Sequence, residues 1–114
     1  MSTIGNSEYK TIYLPRLNGI NPTLESTVIK LSEEVGELAR LIGKGQKMSM
    51  EDNEEVNVMQ LTWLDEIVGE LLDVAQTTVT MAFKLEEDFG ISLEEGLERH
   101  LEKLKRKNYL ICDN

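Results

Sequence analysis

One stretch of sequence decides the fold, and it reads Trp63-Leu64-Asp65-Glu66-Ile67-Val68-Gly69-Glu70-Leu71-Leu72-Asp73-Val74-Ala75-Gln76. At about 100° per residue, one narrow stripe of a helix collects the polar side chains Glu66, Glu70, Asp73 and Thr77. Apolar side chains occupy almost every other direction, so the helix must be covered on nearly all sides. Carboxylates among apolar walls are costly unless they are paired or coordinated, so this stripe faces either water or a cation.

The composition limits the class of protein. The 114 residues suffice for one domain or for one protomer of a small helical oligomer. A formal net charge of -9 argues against binding nucleic acid through surface Lys and Arg. No apolar segment reaches the roughly 20 residues that a membrane helix needs. The lone Cys112 cannot form an intrachain disulfide, so we expect a cytoplasmic protein. From the net charge and the lack of a long apolar segment, we expect no nucleic-acid partner and no membrane partner.

Hydrophobic periodicity divides the chain into an arm, a helical domain and a tail. Residues 1–21 show no sustained period and predict an irregular arm, in which Ile12-Tyr13-Leu14 is expected to pack against the helices or a partner. Residues 22–107 form the helical domain, with a polar loop at 43–58, and residues 108–114 form a C-terminal tail.

Start and stop signals predict three helices in this domain. Asn21 suits an N-cap and Pro22 suits the first helical position, so the first helix is expected to begin there. Gly43 and Gly45 are expected to end it.

The second helix is expected to run from about residue 59 to residue 89, with Gly90 ending it. A capping box, Ser92-Leu93-Glu94-Glu95, then opens a third helix that reaches about Lys107. Two long helices and one short one leave the second helix under-covered within a single chain. We therefore expect an all-α helical bundle completed by oligomerisation, in which the helix pairs of two protomers form a four-helix core.

Two acidic motifs lie at the edges of the apolar arcs. Glu34 and Glu37 share a narrow stripe of the first helix with Lys30. Glu70 and Asp73 are placed in the same way on the second helix. If the two helices are antiparallel, these carboxylates converge. Oxygen ligands of this kind select Mg2+, or alternatively Mn2+, over zinc.

A ferritin-like di-iron site is a second use for paired carboxylates on bundle helices. It requires a Glu-x-x-His motif on two of the helices. The chain has one histidine, His100, and Leu97 occupies the position where that motif needs Glu. The sequence therefore disfavours di-iron chemistry.

The third helix ends in a cluster of cations. Lys103 and Arg106 lie on one face of its last turns, where they either offset the helix dipole or hold a phosphate. Basic groups neutralise phosphate charge while a carboxylate-bound metal polarises a phosphoryl oxygen. The sequence has no P-loop and no Ser-His or Cys-His pair for covalent catalysis.

These motifs resemble a known family. Leu31-Ser32-Glu33-Glu34-Val35-Gly36-Glu37-Leu38 and Glu70-Leu71-Leu72-Asp73 are similar to the E-E-x-x-E and E-x-x-D pair of the MazG-like, all-α nucleoside triphosphate pyrophosphohydrolases. The resemblance covers about residues 24 to 107. It implies a magnesium-dependent enzyme, assembled as a dimer or tetramer, that hydrolyses (d)NTPs to monophosphate and pyrophosphate and often clears non-canonical nucleotides. By motif position it implies the metal ligands Glu34, Glu37, Glu70 and Asp73 and the phosphate contacts Lys103 and Arg106.

The chain departs from the family pattern in three places. The gap between Glu37 and Glu70 is longer than usual, consistent with an inserted loop at 43–58. Leu104 replaces the usual aromatic residue between Lys103 and Arg106. The arm lacks the family's tryptophan-bearing segment, so the resemblance implies nothing about base recognition.

The expected function is Mg2+-dependent nucleotide pyrophosphohydrolysis. Glu66, one turn before Glu70, is the expected group for orienting the attacking water, and Lys30 is a further candidate for binding phosphate. Two alternatives stay open at this point. One is a phosphoribosyl-ATP pyrophosphohydrolase-like enzyme. The other is a non-catalytic helical adaptor or regulatory oligomer, whose acidic face keeps it in solution or meets a basic partner.

Overall fold

The structure is a computed structural model that describes residues 8–45 and 58–110. Within these two ranges the chain forms three helices and no strand: α1 (Leu24–Gly45), α2 (Val58–Phe89) and α3 (Leu93–Arg106). The predicted all-α class is confirmed. None of the described helices is both long and apolar enough to cross a lipid bilayer.

The arm is irregular over residues 8–23, where the structure has neither helix nor strand. Ile12 and Tyr13 are 53% and 91% exposed, so they do not pack against the helices of their own chain, and their packing against a partner stays a prediction. The arm instead contacts α2 through Pro15 and Arg16. Parts of the predicted arm, loop and tail lie outside the described residues, namely 1–7, 46–57 and 111–114 with Cys112.

α1 begins at Leu24, so the prediction that it starts at Asn21 and Pro22 is wrong. The N-cap is Thr23, whose hydroxyl accepts a hydrogen bond from the backbone N–H of Ser26 at 3.0 Å. The Ser26 hydroxyl in turn accepts from the Thr23 N–H at 2.9 Å. This reciprocal cap satisfies two backbone donors at once, which an N-cap at Asn21 cannot do because Leu24, three residues further on, has no side-chain acceptor.

α1 runs through Gly43, so the prediction that Gly43 ends it is wrong, whereas its last described residue is Gly45, the second glycine that was predicted to end it. The side chain of Trp63 on α2 lies directly against Gly45, and a Cβ atom built there would overlap the indole ring. The indole Nε1–H donates a hydrogen bond to the Leu41 carbonyl at 2.7 Å. Gly45 therefore serves the close approach of two helices.

The joint between α2 and α3 follows the predicted signals. Gly90 has a φ of 65° and its N–H donates to the Glu86 carbonyl at 3.0 Å, which is a left-handed helix cap. The Ser92 hydroxyl accepts from the Glu95 N–H at 3.4 Å, which is one half of the capping box. In place of the other half, the same hydroxyl donates to the carboxylate of Glu94 at 3.1 Å. Local bonds therefore set the direction in which α3 leaves α2.

α1 and α2 pack along each other, whereas α3 packs along neither of them. Trp63, early in α2, contacts Leu41 and Gly45, late in α1. Asp73, further along α2, lies beside Glu34, which comes earlier in α1. The contacts run in reverse order, so the two helices are antiparallel, as the convergence of the acidic motifs requires.

A single chain leaves its apolar surface largely uncovered. Among the described residues no apolar side chain is fully buried, and Val68 and Leu71 on α2 are 54% and 55% exposed. Leu93 and Leu97 on α3 are also exposed. This exposure is the feature that motivated the predicted oligomer, which stays a prediction.

Candidate functional site

The acidic group is built from one side chain of α1 and two of α2. Glu34, Glu70 and Asp73 each offer a carboxylate oxygen, and these oxygens all lie within 4.8 Å of one another. Glu70 and Asp73 point the same way because residues three apart share a helix face. The antiparallel packing of α1 then brings Glu34 opposite them.

Two oxygens of this group lack the partners that burial demands. Glu34 is only 5% exposed, and its Oε2 atom is buried without a hydrogen bond, as is Oε2 of Glu70. Buried carboxylate oxygens are stable when they are paired or when they coordinate a cation. Two oxygens on opposite sides of one Mg2+ lie about 4.2 Å apart at a ligand distance of about 2.1 Å. The spacing and the unsatisfied oxygens therefore fit a small divalent cation.

The charges of the group act on Glu70. Burial raises the pKa of the Glu70 carboxyl, and the negative charges of Glu37, Glu34 and Asp73 raise this pKa further. A positive ion bound among these carboxylates would lower the pKa of Glu70, because it favours the charged form of the carboxyl group.

Glu37, predicted as the fourth metal ligand, lies at the edge of the group. Its side chain is exposed, and it contributes no oxygen to the group that Glu34, Glu70 and Asp73 form. Its charge nevertheless reaches Glu70 and raises the pKa of that carboxyl. The structure thus brings three of the four predicted acids into one group and places the fourth beside it.

Lys30 is the cation that the structure places at the acidic group. Its Nζ atom lies 2.9 Å from Oε1 of Glu34, one turn away on α1. The hydrogen bond and the charge of Glu34 raise the pKa of Lys30. One oxygen of Glu34 therefore holds an ammonium while the other is left for a different partner.

The other predicted site residues lie elsewhere. Glu66 is exposed one turn before Glu70 and borders a separate cleft of about 240 Å³ beside Trp63. Lys103 and Arg106 are on α3, a helix that packs along neither α1 nor α2. His100 is exposed on α3 and is not part of the acidic group.

A cleft that the sequence did not reveal adjoins the acidic group. It has a volume of about 410 Å³ and lies between the arm, the first half of α1 and the middle of α2. Lys30 and Thr77 line the end nearest the acids, and the Thr77 hydroxyl donates to the Asp73 carbonyl at 2.9 Å. Thr77 shares the acidic stripe of α2, and this small polar side chain was the one signal in the sequence for open space at that position.

Comparison with known proteins identifies the family. The family model of the MazG nucleotide pyrophosphohydrolase domain matches residues 22–109, which is most of the chain. No curated protein and no solved structure matches the chain. The matched range contains both acidic motifs, α3 and the walls that α1 and α2 contribute to the cleft. On this match the chain belongs to the MazG nucleotide pyrophosphohydrolase family.

Proposed function

We propose that this protein is a Mg2+-dependent nucleoside triphosphate pyrophosphohydrolase that converts (d)NTPs to (d)NMPs and pyrophosphate, including non-canonical nucleotides. The observation that carries this proposal is the group of Glu34, Glu70 and Asp73, with its two buried and unpaired oxygens. An adaptor whose acidic face only keeps it in solution has no need for such oxygens, because solvated carboxylates are exposed.

Glu34, Glu70 and Asp73 would hold the metal ion, with Glu37 at the edge as a fourth ligand. When bound, Mg2+ supplies charge that polarises a phosphoryl oxygen and lowers the pKa of a bound water. The oxygen of a water molecule forms a bond to the α-phosphorus of the nucleotide. The bond between this phosphorus and the oxygen that bridges the α- and β-phosphates breaks, and pyrophosphate leaves with that oxygen. Glu66 is exposed and lies one turn before Glu70 on the same stripe of α2, and on this ground it is proposed to orient the water and to accept its proton.

Cationic side chains are proposed to neutralise the phosphates. Lys30 already lies beside Glu34, so its ammonium can contact a phosphate that approaches the acidic group. Lys103 and Arg106 are assigned to the same task in an assembled homodimer or homotetramer, because α3 does not pack along its own α1 or α2. The exposed apolar surfaces of α2 and α3 support such an assembly.

The nucleoside end of the substrate is proposed to occupy the cleft beside the acids. A volume of about 410 Å³ falls within the usual range of small-molecule pockets, roughly 300 to 1,000 Å³. Since Lys30 and Thr77 line its inner end, a nucleotide bound there directs its phosphates toward the acidic group.

The test is pyrophosphate release from a panel of nucleotides with Mg2+. The panel includes canonical, damaged and deoxyuridine nucleotides and phosphoribosyl-ATP. The Glu70→Gln variant should lose turnover while keeping its helix content. Asp65→Asn is the matched control, because Asp65 is an exposed acid of α2 outside the acidic group and should leave turnover unchanged. Full activity of the Glu70 variant, or no release from any nucleotide, would contradict the proposal.

A further inference from the structure

The outer wall of the cleft comes from the arm. Residues 17–22, named here the arm wall, contribute Leu17, Ile20 and Pro22 to the cleft lining. Gly19 has a φ of 77°, a conformation that favours glycine, and this bend lies between Leu17 and Ile20, which both line the cleft. The arm wall contains no helix or strand, so no ladder of backbone hydrogen bonds holds it in place.

Three contacts fasten the arm to α2 immediately before the arm wall. The guanidinium of Arg16 lies 4.2 Å from the centre of the Phe83 ring. The same group forms an ion pair with Glu87. The side-chain amide of Gln76 donates to the Pro15 carbonyl at 2.8 Å.

These contacts share one side of α2. Gln76, Phe83 and Glu87 are spaced seven and four residues apart, which places them on one stripe of a helix. This stripe borders the stripe of Thr77 and the acids. The face of α2 that directs the acids therefore lies next to the face that fixes the arm.

We infer that Arg16 and Gln76 are positioning residues that hold the arm wall over the cleft and thereby set which nucleosides the enzyme accepts. The inference rests on the proposed function and deepens it. Arg16 does not line this cleft, so it acts through the arm wall and not by touching the substrate. The side chain of Gln76 does line the cleft, so Arg16→Ala is the variant that tests the fastening apart from direct contact with the substrate.

The fastening is weak enough to open. Both members of the Arg16–Glu87 pair are nearly half exposed, at 49% and 44%, and exposed ion pairs and single cation–π contacts are individually weak. An arm held in this way opens for substrate entry and closes again. Loss of a contact between the arm and α2 lowers the fraction of molecules in which the arm wall is closed over the cleft. The apparent affinity for nucleotide falls in the same proportion.

The experiment compares Arg16→Ala, Gln76→Ala and the double variant with the wild type, using steady-state kinetics on the nucleotide panel. KM should rise about three- to fivefold in each single variant and about tenfold in the double variant. The value of kcat should stay within about twofold of the wild type, since the acidic group is untouched. The ratio of kcat/KM between the best and the poorest nucleotide base should become smaller. Arg16→Lys, which keeps the charge but loses the planar group over Phe83, should fall between wild type and Arg16→Ala.

A matched control and a second readout separate this inference from the proposed function. Lys10→Ala removes a cation of the same arm for which the described residues offer no partner, and it should change neither KM nor base preference. Chymotrypsin should cut the arm after Leu17, a residue of the arm wall that is 43% exposed, faster in the Arg16 and Gln76 variants than in the wild type or Lys10→Ala. An active wild type with unchanged KM, base preference and cleavage rate in these variants overturns the inference and leaves the function intact. If the wild type hydrolyses none of the nucleotides, the proposed function is wrong. Equal rates of chymotrypsin cleavage in the wild type and in the Arg16 and Gln76 variants would then still refute the fastening of the arm.

Discussion

Replacing Glu70 by Gln should shift the thermal stability of the protein in opposite directions without and with Mg2+. Without a cation, burial and the charges of Glu37, Glu34 and Asp73 disfavour the charged form of Glu70, which is why its pKa is raised. The neutral amide relieves this repulsion, so the metal-free variant should melt above the metal-free wild type. With Mg2+ the variant lacks one of the three grouped carboxylates and should gain little.

Binding linkage sets the size of the effect in Mg2+. A ligand at about 100 times its Kd, bound by the folded state alone, stabilises a protein by about 2.7 kcal/mol. For a chain of this length about 1 kcal/mol raises Tm by about 4 °C, so the wild type should gain about 10 °C. If the amide weakens binding about a hundredfold, the same ion concentration stabilises the variant by about 0.4 kcal/mol, or less than about 2 °C.

The assay is differential scanning calorimetry at one protomer concentration, with chelator or with a series of Mg2+ concentrations. Asp65→Asn is again the matched control and should follow the wild type in both conditions. Equal gains in Tm for the wild type and Glu70→Gln would refute the assignment of Glu70 to a cation site. A metal-free variant that melts below the wild type would refute the repulsion argument.

Further measurements test the fold and the assembly. Gly45→Ala should lower the free energy of unfolding in urea by about 1 to 3 kcal/mol, because its Cβ overlaps Trp63. Gly43→Ala should stabilise by up to about 1 kcal/mol, because nothing lies near its added Cβ, and equal effects at the two positions would contradict the close approach. In the metal-free protein the folded state keeps the Glu70 proton to higher pH than the unfolded chain does, since this pKa is raised. Stability should therefore fall as pH rises from the unfolded to the folded pKa of Glu70, and Glu70→Gln should abolish that fall in a pH series of urea titrations. Light scattering should give two or four times the mass of one chain, and the mass of a single folded chain would contradict the proposed assembly.

Features that depend on local periodicity could be predicted from the sequence. α2 and α3 lie close to the positions that were predicted from the apolar spacing, from Gly90 as the end of α2 and from Ser92 as the N-cap of α3. The grouping of Glu34 with Glu70 and Asp73 also followed from local spacing. The two acids of each pair, Glu34 with Glu37 and Glu70 with Asp73, lie about one helical turn apart on the same face of their helix. The two pairs then meet if the helices pack antiparallel.

Features that depend on contacts between distant segments could not be predicted. The cleft exists because an arm without periodicity crosses α2, and no spacing rule gives the path of such a segment. The role of Gly45 depends on Trp63, which lies on another helix. The start of α1 was missed because Asn21 and Thr23 are both good N-caps, and the reciprocal bond with Ser26 decides between them.

The separation of α3 from the acidic group has the same kind of origin. Lys103 and Arg106 share a helix face, but the direction of that face depends on the joint at Gly90 and on what covers α3 in the assembly. Their role in binding phosphate stays a prediction, which the nucleotide panel can test by Lys103→Ala, with Lys105→Ala as its control. Lys105 pairs with Glu102 on its own helix at 3.5 Å and should be dispensable.

The most direct test of the cation site is anomalous diffraction from crystals grown with Mn2+, which can replace Mg2+ at oxygen ligands. The manganese signal should lie between the carboxylates of Glu34, Glu70 and Asp73, with Glu37 turned toward it. Crystals at saturating Mn2+ that show these side chains pointing apart into solvent, with no signal between them, would contradict the account.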